Sequence, residues 1–208
     1  MPRAPIVSPN ATGIQRAAES VRNGGLIVYP TETVYGLGVD PFNSVALDRV
    51  FRLKGRESGK ALIILIHSSE NLESLVLEIP PGAQSLIDSF WPGPLTLIFK
   101  ARPELPPGLL GDRDTIAIRV SNAKTTSALL EALDGPITST SANRSAKPPV
   151  LSAEEAEQEF QSEVDLILDG GIAASSQPST LLDVTTNPVS LLREGRIPAS
   201  EIREAVKK

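Results

Sequence analysis

The chain has 208 residues, with 20 lysines and arginines against 25 aspartates and glutamates, a net charge of −5, no cysteine and one histidine. Its length fits one domain, and its 40% hydrophobic content builds an ordinary core that must rest on aliphatic side chains, because only 4% of residues are aromatic. Thiol catalysis, disulfides and cysteine-based zinc sites are excluded, and the acidic balance argues against bulk electrostatic capture of nucleic acid while leaving a local basic patch open.

The start, MPRAPIVSPNATG, has no apolar signal region, and the longest aliphatic run, ALIILI at 61–66, is too short to span a bilayer. The expectation is a soluble, cytoplasmic protein. Ile14, Ala17, Ala18 and Val21 recur at helical spacing, and Asn23-Gly24-Gly25 ends that helix. LIVYP (26–30) reads as a strand, and the YPTETVYGLGVD that follows reads as a polar, glycine-spaced turn. Residues 44–56 form a helix with Leu47, Val50, Phe51 and Lys54 on or near one face. ALIILI is too apolar to alternate and predicts a strand covered on both faces. A short helix at 83–91 is broken by PGP, with Trp91 as an anchor.

Strands are predicted at 95–101 and 115–120, the second alternating Ile116, Ile118 and Val120 with Ala117 and Arg119. A helix at 124–133 precedes GPITSTSAN (135–143), a strand running into a polar turn. A helix at 153–160, strands within 164–171, 179–184 and 189–194, and a closing helix from Ala199 complete the order. This alternation predicts one α/β domain with a twisted, open, mixed sheet and flanking helices.

Two phosphate motifs are nearly present and fail. Gly36-Leu37-Gly38 has Pro41 where the dinucleotide fingerprint needs its third glycine. KGRESGKA (54–61) has Lys54 where the first P-loop glycine belongs and Ala61 where a magnesium-binding hydroxyl belongs. His67 reads as a surface residue at a strand end, with no partner nucleophile. Lys54, Arg56, Lys60, Arg119 and Arg193 are cations beside apolar elements; each alone has a plain structural reading, since such stems run along apolar surface to solvent. Arg119 is the exception, because a guanidinium on a half-buried strand needs an anionic partner. STSAN (139–143) has the residues of a turn or helix cap, or of a grip on a ligand's phosphate or carboxylate. With no acid/base carboxylate pair and no nucleophile–base pair, a site of Lys, Arg, Thr and Ser suits phosphoryl or nucleotidyl transfer, which is mainly positioning and charge neutralisation.

GGLIVYPTETVYGLGVD, the Lys-x-Arg at 54–56 followed by Lys60, WPGPLT, TIAIRV, GPITSTSAN, STLLDV and LLREG stand in the order found in YrdC-like proteins, the L-threonylcarbamoyladenylate synthases. The chain resembles that family over residues 11–203, with 1–10 as an extension and no extra C-terminal domain. The resemblance implies a YrdC/RibB-like twisted sheet with a basic concave face. It implies synthesis of threonylcarbamoyl-AMP and pyrophosphate from L-threonine, bicarbonate or CO2, and ATP with Mg2+. The product would go to the transferase machinery that modifies adenosine 37 of tRNA.

By the same resemblance Lys54 and Arg56 carry the catalytic signature. Arg56, Lys60, Thr115, Ser141, Asn143 and Arg193 contact ATP, and Thr33, Arg119, Ser139 and Ser179 contact threonine. No residue is assigned as a metal ligand. The chain departs from the pattern at Glu57, where many relatives have proline, and at Leu65, where some have histidine. Two rival readings stay open: a non-catalytic RNA-binding module in tRNA or ribosome maturation, and a paralogue that makes a different acyl or carbamoyl adenylate.

Overall fold

The computed structural model describes residues 3–55, 62–110 and 114–206. In chain order the elements are β1 (Ile6–Val7), α1 (Ala11–Arg22), β2 (Ile27–Tyr29), β3 (Gly36–Gly38), α2 (Ser44–Lys54) and β4 (Ile63–Ile66). After a 3-10 turn at Ser69–Ser74 come α3 (Pro81–Phe90), β5 (Leu95–Lys100), β6 (Thr115–Val120), α4 (Lys124–Leu133), β7 (Ile137–Thr138) and β8 (Thr140–Ser141). The chain ends with α5 (Ala153–Phe160), β9 (Leu166–Leu168), β10 (Thr180–Asp183), β11 (Ser190–Arg193) and α6 (Ala199–Val206).

The mixed α/β architecture with flanking helices is as the sequence predicts, but the strands divide into two hydrogen-bonded sheets. One has the order β1-β9-β2-β3-β8 and the other β11-β10-β5-β6-β4-β7. The segment before Ala11 is no mere extension, because β1 pairs in parallel with β9 at the edge of the first sheet. The glycine-spaced stretch expected as a turn is in part a strand: β3 pairs antiparallel with β2, Tyr29 opposite Gly36 and Ile27 opposite Gly38.

Local chemistry sets the helix ends. The Asn10 side chain accepts from the Gly13 amide at 2.9 Å to start α1, and Asn43 does the same for α2 from Ala46 at 3.1 Å. Helix α2 stops at Gly55, whose φ of 60° is the left-handed cap that glycine adopts without a Cβ penalty.

Strands β2, β4 and β9 are covered on both faces, which explains their unbroken apolar runs. Ile64 and Ile66 of β4 enter the main core, while Leu65 enters a second core with Ile14, Ala17, Ala18 and Val21 of α1 and Leu129 and Leu130 of α4. Strand β6 alternates as predicted, with Ile116, Ile118 and Val120 in the main core and Ala117 and Arg119 on the opposite face.

The two sheets meet at one residue. Strand β7 pairs with β4 in the six-stranded sheet and β8 pairs with β3 in the five-stranded one, so Ser139 is the single residue between them. Its amide donates to Ile63 O at 2.7 Å, and Thr138 fastens the seam by donating from its amide to Val39 O at 3.1 Å.

Candidate active site

A cavity of about 370 Å³ opens at this seam. Its floor is a row of small and apolar side chains set by register, Ile63 of β4 and Ile98 of β5 flanking Ala117 of β6. Polar groups rise around that floor from several separate parts of the chain, and the arrangement explains the composition of each.

Arg119 lies two residues beyond Ala117 on the same face of β6, with its side chain 4% exposed. Its Nη1 stands 3.3 Å from Glu32 Oε1 and donates to Thr33 Oγ1 at 3.2 Å. Both partners come from the loop between β2 and β3. Thr31 Oγ1 braces that loop by donating to Val34 O at 2.7 Å, and it shares a hydrogen bond with Thr33 Oγ1 at 2.8 Å. The anionic partner that the sequence demanded for Arg119 is thus supplied from within the chain, by a glutamate that sequence reasoning did not single out.

Lys54 is the last residue of α2, and its ammonium is buried against the Ser-x-Asn turn. It donates to Ser141 O at 2.6 Å, Asn143 Oδ1 at 3.0 Å and Asn143 O at 3.1 Å. Ser141 Oγ donates to Asn143 Oδ1 at 2.6 Å, and Asn143 Nδ2 donates to Lys147 O at 2.6 Å. A cation at a helix C-terminus complements the helix dipole, and here it also ties the helix end to one wall of the cavity.

Ser179 and Arg193 make the opposite wall. Ser179 Oγ shares a hydrogen bond with Thr96 Oγ1 at 2.7 Å, and Arg193 donates from Nε and Nη2 to Ser179 O at 3.1 and 3.0 Å. Burial, and after it the positive charge of Arg119, lowers the pKa of Arg193 below its ordinary range. A guanidinium destabilised in this way favours an anion bound beside it.

Ser139 sits under the cavity beside Tyr29 and β3. A Cβ on Gly38 would stand 2.7 Å from Tyr29 Cε1, and one on Gly36 would stand 3.1 Å from Ser139 Oγ. The glycines therefore clear room for the Tyr29 ring and the Ser139 hydroxyl. The buried Tyr29 hydroxyl donates to Thr138 O at 2.9 Å, and burial pushes its pKa up.

The cavity thus brings together Thr33, Lys54, Arg119, Ser139, Ser141, Asn143, Ser179 and Arg193 of the predicted set. Thr115 is not on its lining; it begins β6 opposite Lys100 and shares a face with Ala117 and Arg119, about 13 Å from Arg119 at ~3.3 Å per residue. Arg56, Lys60 and Glu57 lie outside the described residues. His67 is exposed on a different hollow, as its place after β4 predicts. Among the described residues, no group of three His, Cys, Asp or Glu is placed to hold a metal ion, and no helix is long and apolar enough to cross a membrane.

Such a site can fix a carboxylate and neutralise phosphate charge, and it offers hydroxyls rather than an acid/base pair. The family model of Sua5, YciO and YrdC proteins, described as "Telomere recombination", matches residues 19–195. Over 193 residues the chain is 40% identical to the threonylcarbamoyl-AMP synthase of Pyrococcus abyssi, which covers 93% of this chain and 57% of that protein. It is 38% identical over 169 residues to the threonylcarbamoyl-AMP synthase of Thiobacillus denitrificans, covering 81% and 89% respectively. A solved structure of P. abyssi Sua5 complexed with L-threonine matches with a TM-score of 0.93 and 38% identity, over 97% of this chain and 61% of that one. The chain therefore spans a little over half the length of its P. abyssi relative and most of the T. denitrificans one.

Proposed function

The chain belongs to the Sua5/YciO/YrdC family, and we propose that it is an L-threonylcarbamoyl-AMP synthase acting through the cavity at the sheet seam. One observation carries the reading: a buried guanidinium, Arg119, bonded to Thr33 in a cavity whose other wall presents a second guanidinium, Arg193. That pairing suits an amino-acid carboxylate beside a polyphosphate. The names of the two synthase relatives, and the L-threonine complex of P. abyssi Sua5, support it.

In this reading Arg119 and Thr33 hold the threonine carboxylate, with Ser139 and Ser179 orienting the rest of the molecule. The threonine amine adds to CO2 and loses a proton, giving an N-carboxylate. A carbamate oxygen then attacks the α-phosphorus of ATP, and the bond to the leaving pyrophosphate breaks. Lys54 shapes the Ser141–Asn143 wall, while Arg193, with Arg56 and Lys60, neutralises phosphate charge as pyrophosphate departs. In the same reading Thr115, further along the same face of β6, contacts the nucleotide.

Mg2+ fits this chain as an ion carried by the triphosphate, since the polar groups around the cavity are cationic and hydroxylic; its chemistry is charge neutralisation on the phosphates. A cytoplasmic setting and delivery of the product to a tRNA-modifying transferase follow from the same activity. Mass spectrometry of the product formed from ATP, L-threonine and labelled bicarbonate tests the reading. The labelled carbon should appear in threonylcarbamoyl-AMP. Label in a different amino-acid adduct would point to a paralogous substrate, and no adduct would refute the assignment.

A further inference from the structure

The site assigns Thr33 and Arg119 to the amino acid, but the residue between Thr31 and Thr33 has no role in that reading. The Glu32 side chain is 8% exposed, and three groups hold the residue. Arg119 Nη1 is 3.3 Å from Oε1, the Ser121 hydroxyl donates to Oε2, and Arg196 Nη1 donates to the Glu32 backbone carbonyl at 2.5 Å. The carboxylate is not on the cavity lining, so it stands behind the guanidinium and acts through it. Arg119 Nε and Glu32 Oε1 are both buried without a hydrogen-bond partner, so the two side chains meet as an ion pair with no hydrogen bond in it.

Arg193 presents the contrast within the same cavity. It donates only to Ser179 oxygens and makes no ion pair among the described residues. One guanidinium is thus neutralised from behind, with a donor still to satisfy, and the other keeps its full charge. A bare cation in a partly dry hollow draws the most highly charged anion available. A cation already paired gains little from a polyanion, yet still offers directed N–H groups to a carboxylate whose own molecule is neutral.

We propose that Glu32 is a positioning and specificity residue that fixes Arg119 and cancels its charge, so that this subsite takes a zwitterionic amino acid and turns away phosphate. The inference rests on the functional reading above. It predicts that removing the Glu32 charge opens the amino-acid subsite to inorganic phosphate, a gain that mere loosening of the fold would not produce.

The test is calorimetric titration of the wild-type chain and of Glu32→Gln with L-threonine and with inorganic phosphate, together with KM values for threonine and ATP. Glu32→Gln should bind threonine about tenfold or more weakly, with phosphate now competing against threonine and the ATP KM changed by less than about twofold. Ser121→Ala, which keeps the charge but frees the carboxylate, should weaken threonine less and gain no phosphate competition. It decides the matter should Glu32→Gln not fold, because an unchanged threonine KM in Ser121→Ala would overturn the positioning role. Threonine affinity in Glu32→Gln within about twofold of wild type without phosphate competition would overturn the proposal, as would threonine and ATP KM rising together. Wild-type chain that binds no threonine would overturn the functional reading and this inference with it; the other failures leave that reading standing.

Discussion

Lys54 Nζ lies 2.6 Å from the carbonyl oxygen of Ser141 and 3.0 Å from Asn143 Oδ1, so the end of α2 is tied to the turn that follows β8. Lys54 reaches the proposed phosphate site as the clamp of its wall. Lys54→Met keeps the aliphatic stem and removes the donor, leaving buried oxygens of Ser141 and Asn143 short of a partner. Unfolding in urea should show a loss of about 1–3 kcal/mol. The ATP KM should rise about tenfold or more while threonine binding changes less, since the wall that shifts carries the Ser-x-Asn turn and not Arg119 or Thr33.

Gly195 follows the Arg193 strand and packs against the backbone that carries Ser179. A Cβ there would stand 2.3 Å from Pro178 O and 2.5 Å from the Ser179 carbonyl carbon. Neither backbone atom yields as a flexible side chain would. The Gly195 amide donates to Thr180 Oγ1 at 3.0 Å, which fixes the approach. Gly195→Ala should therefore cost about 1–3 kcal/mol or more and displace Ser179 and the Arg193 it receives. A lowered melting temperature, together with weakened threonine binding, would bear this out; a variant with wild-type values of both would show that the loop moves freely.

The glycine in LLREG was legible as part of a family pattern, but its cause lies in a close approach to the backbone of Pro178 and Ser179 across the β10–β11 pair. The same division runs through the molecule. Strand β6 and helices α4 and α5 were legible to the residue, because each has a clean period: alternation from Ile116 to Val120, and apolar spacing in the two helices. Strand β3 was not, because Gly-Leu-Gly has no side-chain pattern to mark a strand, and its identity depends on Tyr29 and Ser139 packing against it. The two short strands β7 and β8 looked like one strand and a turn, since only pairing partners reveal that Ser139 passes from one sheet to the other.

Within the site, Arg119 was legible as an anomaly on an apolar strand, and the residues around it followed from the family pattern. Glu32 was missed because a glutamate in a threonine-rich loop looks solvated. The signal was available: a half-buried arginine requires a counter-charge, and only one acidic residue lies within the motif that precedes the glycines.

Tyr35 offers a test by pH. Its hydroxyl donates to Gly171 O at 2.7 Å and accepts from the Gly170 amide at 3.0 Å, pinning the loop after β9 against the cavity wall. Burial pushes its pKa up to about 12 from 10.0. The unfolded chain gives up this proton near pH 10, whereas the folded chain keeps it until about pH 12. The contribution of Tyr35 to stability is therefore full below pH 10 and is lost as pH rises through that window. Tyr35→Phe should lose about 1 kcal/mol near neutrality through the missing hydrogen bonds and show a shallower fall in stability at alkaline pH. Denaturant unfolding across that range reads both effects, and an unchanged alkaline slope would assign the titration to other groups.

Arg56 stands two residues beyond Lys54, after Gly55 has ended α2 in the left-handed conformation. The proposed role is different from that of Lys54: it is charge placed on the triphosphate as pyrophosphate leaves. Removing one charge-assisted contact from a water-poor site costs about 2–4 kcal/mol of transition-state stabilisation, so Arg56→Ala should lower turnover by at least about tenfold. It should leave the urea midpoint unchanged, because the role assigned to it is to the substrate and not to the fold. Lys54→Met, by contrast, should move stability and ATP binding together. Pyrophosphate release dependent on threonine and bicarbonate, measured for both variants beside their unfolding curves, separates a residue that builds the wall from one that acts across it. Equal turnover in wild type and Arg56→Ala would remove Arg56 from the reaction.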